Sequence, residues 1–515
     1  MIRLFRWAIL ATALAFLVTG GIVTLNENRV PEDEERDKLW KQVEKDISEG
    51  RPRSAIDKLK LIYDGAAEDQ EWPEATHALC QRFLLEGQID QPVMPYVIRQ
   101  MQAAIPEAPE QMRPVMKTLL AEWFYTYYMQ NQWRFMQRSQ TAVVPSEDFE
   151  TWDLARILNE VDRNFTEALA DADQLKQIPI ATYDELIMKG TVSDAHRPTL
   201  FDFIAFEALG FYSLDEQFIR QQGAFRVSGD SPVFATSEEF LAWEPPTDDD
   251  DSFLLRAVGL YQELLRFHAD DDDRTAWLDA DLSRLSFGDR VATGSEAKSR
   301  YRAALQRYAD QHVTHQLSSM ALARLASSLQ SDTEYVNAKA IAEQGKSRFP
   351  GSLGGKQCHN IIESILGRSA SVKSERNWNV DPVVDITYRN VDKAYFRLVP
   401  FDYANWSEWG NYHTPQRLQH DVMERLLRQR AAMEWSVDLP ATEDYKERTE
   451  QLPVDVDVKS GCYLLVCSHN PEFNNRDNQV SVAEVWVSNL AVVMRRIYGS
   501  PNIGGHVYDA RTGEP

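Results

Sequence analysis

The sequence predicts a multidomain protein that is helical first and β after. Three observations lead there. At 515 residues the chain exceeds one ordinary hydrophobic core. From residue 35 to about 368, apolar residues recur at three- and four-residue spacing, the period of amphipathic helices. From Val383 to Val487 the period drops to two, as in half-buried strands. About a hundred residues of short antiparallel strands is the size of an immunoglobulin-like β-sandwich.

The N-terminus reads as a targeting segment. Arg3 and Arg6 precede Trp7–Leu25, an uncharged, mostly apolar run of 19 residues, and Glu27, Glu32, Asp33, Glu34 and Glu35 follow. Positive before and negative after predicts that everything beyond Leu25 is translocated. As a helix the run is roughly 28 Å long, enough to span a bilayer. No A-x-A-like cleavage site closes it and no cysteine there takes a lipid, so residues 1–25 are expected to be a membrane anchor or a signal peptide. Residues 26–34 form a linker.

Residues 35–370 are expected to be a repeat-like helical region, TPR-like or an α-solenoid. Leu39, Val43 and Ile47, then Ala55, Leu59, Ile62 and Tyr63, keep helical spacing, with Gly50-Arg51-Pro52 as the break. Further helices are expected near Trp72–Glu86, Pro114–Trp133, Phe149–Leu169, Pro198–Tyr212, Leu254–Phe267, Lys298–Tyr308, His315–Ser328 and Glu334–Arg348. Leu322, Ala326, Leu329, Ala338, Ala342, Gly345 and Pro350 fall at the spacings of one tetratricopeptide unit, without a second copy at a fixed period. The acidic runs Asp248–Asp251 and Asp270–Asp273 lack the glycine turn and distal carboxylate of a calcium loop and read as solvated loop ends, the first well placed for a helix N-terminus. The rings of Trp123–Tyr128, Trp133 and Phe135 spread around a helix axis, which predicts core packing rather than a binding groove.

Within the β region, Val384, Ile386 and Tyr388 alternate with Asp385 and Thr387. The stretch Arg389–Lys393 reverses the chain into a strand at Ala394–Val399. Val454, Val456 and Val458 alternate with Asp455, Asp457 and Lys459, the cleanest strand pattern in the protein, and Ser460-Gly461 turns into the apolar run Cys462–Cys467. Cys462 and Cys467 are an odd number of positions apart, so on one strand they face opposite sides and do not bridge. Between the strands, His413–Met433 reads as an amphipathic helix with Leu418, Val422, Leu426 and Leu427 on one face, packing over a sheet or docking a partner. Asn489–Arg496 and Gly504–Asp509 read as two more strands. Two strands do not bury a core, so residues 489–515 are expected to begin a second, truncated sandwich.

Chemistry is sparse. The chain has no H-E-x-x-H, G-x-S-x-G, P-loop or G-x-G-x-x-G with its acidic partner. His312 and His315 share a helical face only if the helix is continuous, and no third ligand is near. Cys467-Ser468-His469 places a thiol beside an imidazole, but a catalytic thiol ordinarily meets its histidine across the fold. No catalytic, cofactor-binding or metal-ligating residue is therefore assigned. Alanine at Cys467 or His469 is expected to alter stability at most. A net charge of −24 argues against a nucleic-acid partner, four cysteines make no disulfide framework, and 43% hydrophobic residues argue against wholesale disorder.

Several stretches together resemble the large bacterial alpha-2-macroglobulin family. Phe349-Pro350-Gly351-Ser352-Leu353-Gly354-Gly355-Lys356-Gln357-Cys358-His359-Asn360 is similar to the helical segment before that family's first macroglobulin domain. Tyr388–Leu398, Trp435–Pro440, Asp444-Tyr445 and Gly461–Leu465 resemble the domain itself, placed at residues 380–488. Val487–Ala491 and Val507–Pro515 resemble the start of the next. The resemblance covers residues 335–515. It implies an exported, membrane-tethered or periplasmic or extracellular protein that acts by endopeptidase inhibition in envelope defence, with no enzymatic activity and no small-molecule substrate. Its implied partners are proteases or envelope proteins, and the membrane through residues 7–25. A family thioester needs glutamine three residues after its cysteine. Cys80, Cys358, Cys462 and Cys467 have Phe83, Ile361, Leu465 and Asn470 there, so none forms one. The alternative reading is a helical-repeat scaffold for protein–protein interaction at the cell envelope.

Overall fold

A computed structural model describes residues 33–90, 92–137, 147–187, 190, 192–213, 225–247, 249, 251–375, 377–378, 382–402, 426–474, 478–496 and 503–515. An N-terminal helical region is followed by a C-terminal, largely antiparallel β region. The apolar run Trp7–Leu25 lies outside the described residues. Among those residues no helix is long and apolar enough to cross a membrane. The chain divides into two units, residues 1–304 and 305–515.

The first unit opens with α1 (Asp33–Ser48), α2 (Pro52–Glu68), α3 (Trp72–Asp90) and α4 (Val93–Ala104), then α5 (Arg113–Gln130) and α6 (Gln132–Gln137). Gly50 takes φ +70° and Pro52 opens α2, so the break predicted at Gly50-Arg51-Pro52 is a left-handed cap followed by a residue that needs no N–H partner. Leu39, Val43, Leu59 and Ile62 are buried in one cluster with Ala55 and Ala78. The stretch predicted as one helix over Pro114–Trp133 is two, because α5 closes at Gln130 and Asn131 caps it.

The same unit continues with α7 (Leu154–Ala168), α8 (Ala172–Leu175), α9 (Leu200–Tyr212), α10 (Ser237–Leu241), α11 (Phe253–Phe267) and α12 (Thr275–Val291). α7 starts later than the predicted Phe149. The Asp153 side chain accepts the Arg156 N–H at 2.9 Å and sets the helix start, leaving Phe149–Thr151 as a separate 3₁₀ turn. α12 carries no readable amphipathic stripe, since Asp281 and Arg284 sit among its apolar positions. Both are buried and neutralise each other at 2.7 Å, and Arg284 also donates to the Val233 carbonyl at 2.7 Å. α13 (Ala297–Gln311) contains the boundary between the units.

In the second unit, α14 (Leu317–Ser331), α15 (Tyr335–Arg348) and α16 (Leu353–Leu366) pack through small residues. A Cβ at Gly354 would lie 2.3 Å from the Met320 nitrogen, and one at Gly345 2.5 Å from Cys358 Sγ. Only glycine lets the backbones approach so closely.

Eight of the described strands form two sheets packed face to face. β1 (Ser369–Ser374), β3 (Val383–Arg389) and β6 (Arg448–Pro453) make a three-stranded sheet in the order β1-β3-β6. β2 (Asn377–Trp378), β4 (Lys393–Pro400), β5 (Met433–Asp438), β7 (Gly461–Ser468) and β8 (Ser481–Val487) make a five-stranded one in the order β2-β8-β7-β4-β5, parallel only between β2 and β8. Val384, Ile386 and Tyr388 from one sheet meet Phe396, Leu398, Leu465 and Val485 from the other in a single core. β3 and β4 are therefore not a hairpin, because the Arg389–Lys393 reversal carries the chain from one sheet to the other. β9 (Leu490–Arg496) and β10 (Ile503–Asp509) pair separately as an antiparallel hairpin. Leu490, Val492, Met494 and Val507 of that hairpin are exposed.

Two strand-region expectations are corrected. The Val454–Lys459 alternation is not a strand. Pairing with β3 ends at Val383↔Pro453, and beyond it the Val454 N–H bonds to the Pro382 carbonyl while Val454, Val456 and Val458 still pack on the core. The paired strand is the polar Arg448–Pro453. The helix expected over His413–Met433 overlaps residues 403–425, outside the described set. Of the rest, Leu426–Arg428 is helical and Met433 opens β5. Leu426 is buried with Leu464, Val466 and Phe473 on the outer face of the five-stranded sheet, which is packing over a sheet.

Candidate functional site

Among the described residues, a concavity lies in the second unit, where α16 meets the strands. Its frame is Asn390, which holds φ +56° at the sheet-to-sheet reversal, a conformation that asparagine tolerates better than most residues. Its Nδ2 donates to the Ile365 carbonyl at 2.7 Å and the Gly367 carbonyl at 3.0 Å, capping the end of α16. Arg389 adds a bond to the Ser364 carbonyl at 3.0 Å. The Asn390 N–H donates to buried Thr442 Oγ1 at 2.8 Å, tying in the loop after β5. Helix end, reversal and loop are thus fixed by one residue.

The cleft beside this frame has a volume of about 340 Å³ and is lined by Arg368, Asp392, Glu443 and His469 around Asn390 and Thr442. Arg368, Asp392 and Glu443 are exposed, and His469 is half-buried. One guanidinium and two carboxylates make it polar and of mixed charge. Thr442 Oγ1 already accepts the Asn390 N–H, which leaves it a poor nucleophile.

The residues singled out in the sequence are dispersed. Cys467 points into the core between the sheets, where burial pushes its thiol up to about 12, while His469 lies at the cleft. Cys462 packs on the opposite face of the same strand, as the odd spacing requires, and all four cysteines are free. Burial raises the thiols of Cys80, to about 12, and of Cys358 and Cys462, to about 11, so none is an activated thiolate. α13 ends at Gln311 and α14 starts at Leu317, so His312 and His315 do not share a helix, and His315 Nδ1 accepts the Leu317 N–H at 3.2 Å. Among the described residues no group of three His, Cys, Asp or Glu is arranged to hold a metal ion.

Trp123, Phe124, Tyr127, Tyr128 and Phe135 are buried, as core packing predicts, whereas Trp133 is 64% exposed. Asp248 and Asp250 lie outside the described residues. The N-cap of α11 is Ser252, not an aspartate, and Asp249 instead accepts the Phe225 N–H at 3.2 Å. Asp273 accepts the Thr275 N–H at 2.9 Å at the head of α12.

Sequence reasoning missed Asn390 and Thr442. They are 52 positions apart, and only the strand topology brings them together. It also missed two buried charge clusters around α9, although Thr199-Leu200-Phe201-Asp202 is a capping-box pattern that signals the first of them. No protein-family model matches this chain, and no curated protein matches it.

Proposed function

We propose that this chain is a non-enzymatic part of an exported, alpha-2-macroglobulin-like envelope protein whose role is protease inhibition. In this reading residues 35–370 are a helical scaffold of TPR-like or solenoid character, and residues 380–488 are an immunoglobulin-like macroglobulin sandwich. One observation carries the reading. The segments that resemble the family, Tyr388–Leu398, Gly461–Leu465 and Val487–Ala491, fall on β3–β4, β7 and β8–β9, the first two joined by one core and the last running into a hairpin with an exposed apolar face. That is the order a string of sandwich domains requires.

The mass of the mature protein in its native membrane fraction tests this. A membrane-retained species far above 59.1 kDa supports the macroglobulin reading. A species at 59.1 kDa sinks protease trapping and favours the second reading, an envelope scaffold for protein partners, to which the predominantly helical residues 33–304 lend weight.

A further inference from the structure

α9 is buried along almost its whole length, from Leu200 to Tyr212, and an ionisable cluster holds it at each end. At the N-terminal end, Asp202 Oδ2 accepts from the Thr199 N–H at 2.9 Å and from Thr199 Oγ1 at 2.7 Å. Asp202 Oδ1 lies 2.7 Å from His268 Nε2, and the other ring nitrogen, Nδ1, lies 2.6 Å from Asp271 Oδ2. A neutral imidazole has one N–H and cannot donate to two carboxylates, so this geometry calls for an imidazolium. The His268 side chain is 2% exposed, that of Asp202 1% and that of Asp271 40%. Arg274 donates to the His268 and Ala269 carbonyls from the head of α12, and Lys176 lies over the Phe201 and Phe267 rings, paired with Glu263 at 2.9 Å and Asp173 at 3.8 Å.

At the C-terminal end, Tyr212 donates to Asp162 Oδ1 at 2.8 Å, and Arg256 Nη1 lies 3.0 Å from Asp162 Oδ2 with exposed Asp251 behind it at 3.8 Å. Asp162 is also buried.

We propose that the Asp202–His268–Asp271 cluster makes α9 a pH-responsive core helix, pinned at mildly acidic pH and loosened as the His268 clamp deprotonates. The signs agree. Burial disfavours the His268 cation, but its bonds to Asp202 and Asp271 outweigh that and raise its pKa above 6.5. Its contribution is therefore complete below 6.5 and is lost as pH rises through the folded value. Burial is also the largest influence on Asp162 and raises it above 3.8, despite the Tyr212 bond and the Arg256 charge. The folded state thus binds that proton more tightly, and the weakening this brings begins as pH rises through 3.8, ahead of the His268 step. Residues 1–304 hold 53 acidic against 32 basic residues, net −21, so repulsion grows in the same direction.

Amide hydrogen exchange of α9 peptides in the full chain, from pH 6 to pH 9.5 and corrected for intrinsic base catalysis, tests this. Protection is expected to fall about tenfold across that range, a loss of about 1.4 kcal/mol. His268→Gln should show the low protection throughout, with no pH step. Asp271→Asn, at the more exposed partner, keeps the buried Asp202 bond and should move the step to lower pH. A flat profile for the native chain, or a step that Asp271→Asn leaves in place, overturns the proposal. Should His268→Gln not fold, those two measurements still decide it.

Discussion

Replacing Asn390 separates two roles that its geometry combines. It supplies two N–H donors to the Ile365 and Gly367 carbonyls, and it tolerates φ +56°. Each lost bond removes about 1 kcal/mol, and alanine in the left-handed region adds about 1 kcal/mol, so Asn390→Ala should destabilise the second unit by about 3 kcal/mol. Aspartate at this position would be nearly the same size and tolerate the same backbone, but its carboxylate would face two carbonyl oxygens with nothing to donate. We therefore expect Asn390→Asp to be at least as damaging as alanine. In a unit of about 210 residues, 3 kcal/mol corresponds to a melting-point drop of about 6–12 °C. Urea titration followed by exchange protection of α16 peptides isolates this unit from the first. A near-neutral Asn390→Asp beside a damaging Asn390→Ala would refute the donor argument and leave only the backbone one.

Gly354→Val should cost more than about 3 kcal/mol and expose α16 to limited proteolysis, since its Cβ would lie 2.3 Å from the Met320 nitrogen. Leu465→Ala in the core between the sheets should cost about 2–5 kcal/mol by chemical denaturation, whereas Met494→Lys on the exposed hairpin should stay within about 0.5 kcal/mol. Asp46 is pushed up by burial but held down more strongly by bonds from Lys58 and Arg51, to about 2. Its contribution is present above 3.8 and is lost as pH falls through about 2, so Asp46→Asn should destabilise the first unit by about 2 kcal/mol at pH 7 and by much less at pH 2. Cys467→Ala and His469→Ala should change denaturation midpoints only, and loss of one discrete chemical activity with folding intact would contradict the dispersed geometry.

Periodicity made some elements legible and hid others for identifiable reasons. β3, β4 and β7 announce themselves because their alternation or apolar run matches the face each buries. β6 does not, since Arg448-Thr449-Glu450-Gln451-Leu452-Pro453 has little apolar character and becomes a strand through its pairing with β3. The valines of 454–458 show the converse: a strand-like pattern records which side chains face the core, not whether the backbone has a partner. α12 was masked by a buried Asp281–Arg284 pair that sequence reasoning counts as two surface charges. Asn390 reads as an ordinary turn residue until the fold places the α16 carbonyls within its reach.

The change of sheet at Arg389–Lys393 has a kinetic consequence. Because β3 and β4 lie in different sheets, each has one partner that arrives much later in the chain. Thr387 meets Thr449 across 62 positions, and Tyr395 waits for Ser468. Such non-local closure slows folding, while α14–α16 close over short distances. During synthesis those helices can form first, and β3 beside β1 and β4 beside β5 each keep one edge unpaired until the ribosome has delivered β6 and β7. That interval is when this unit is most exposed to misassociation.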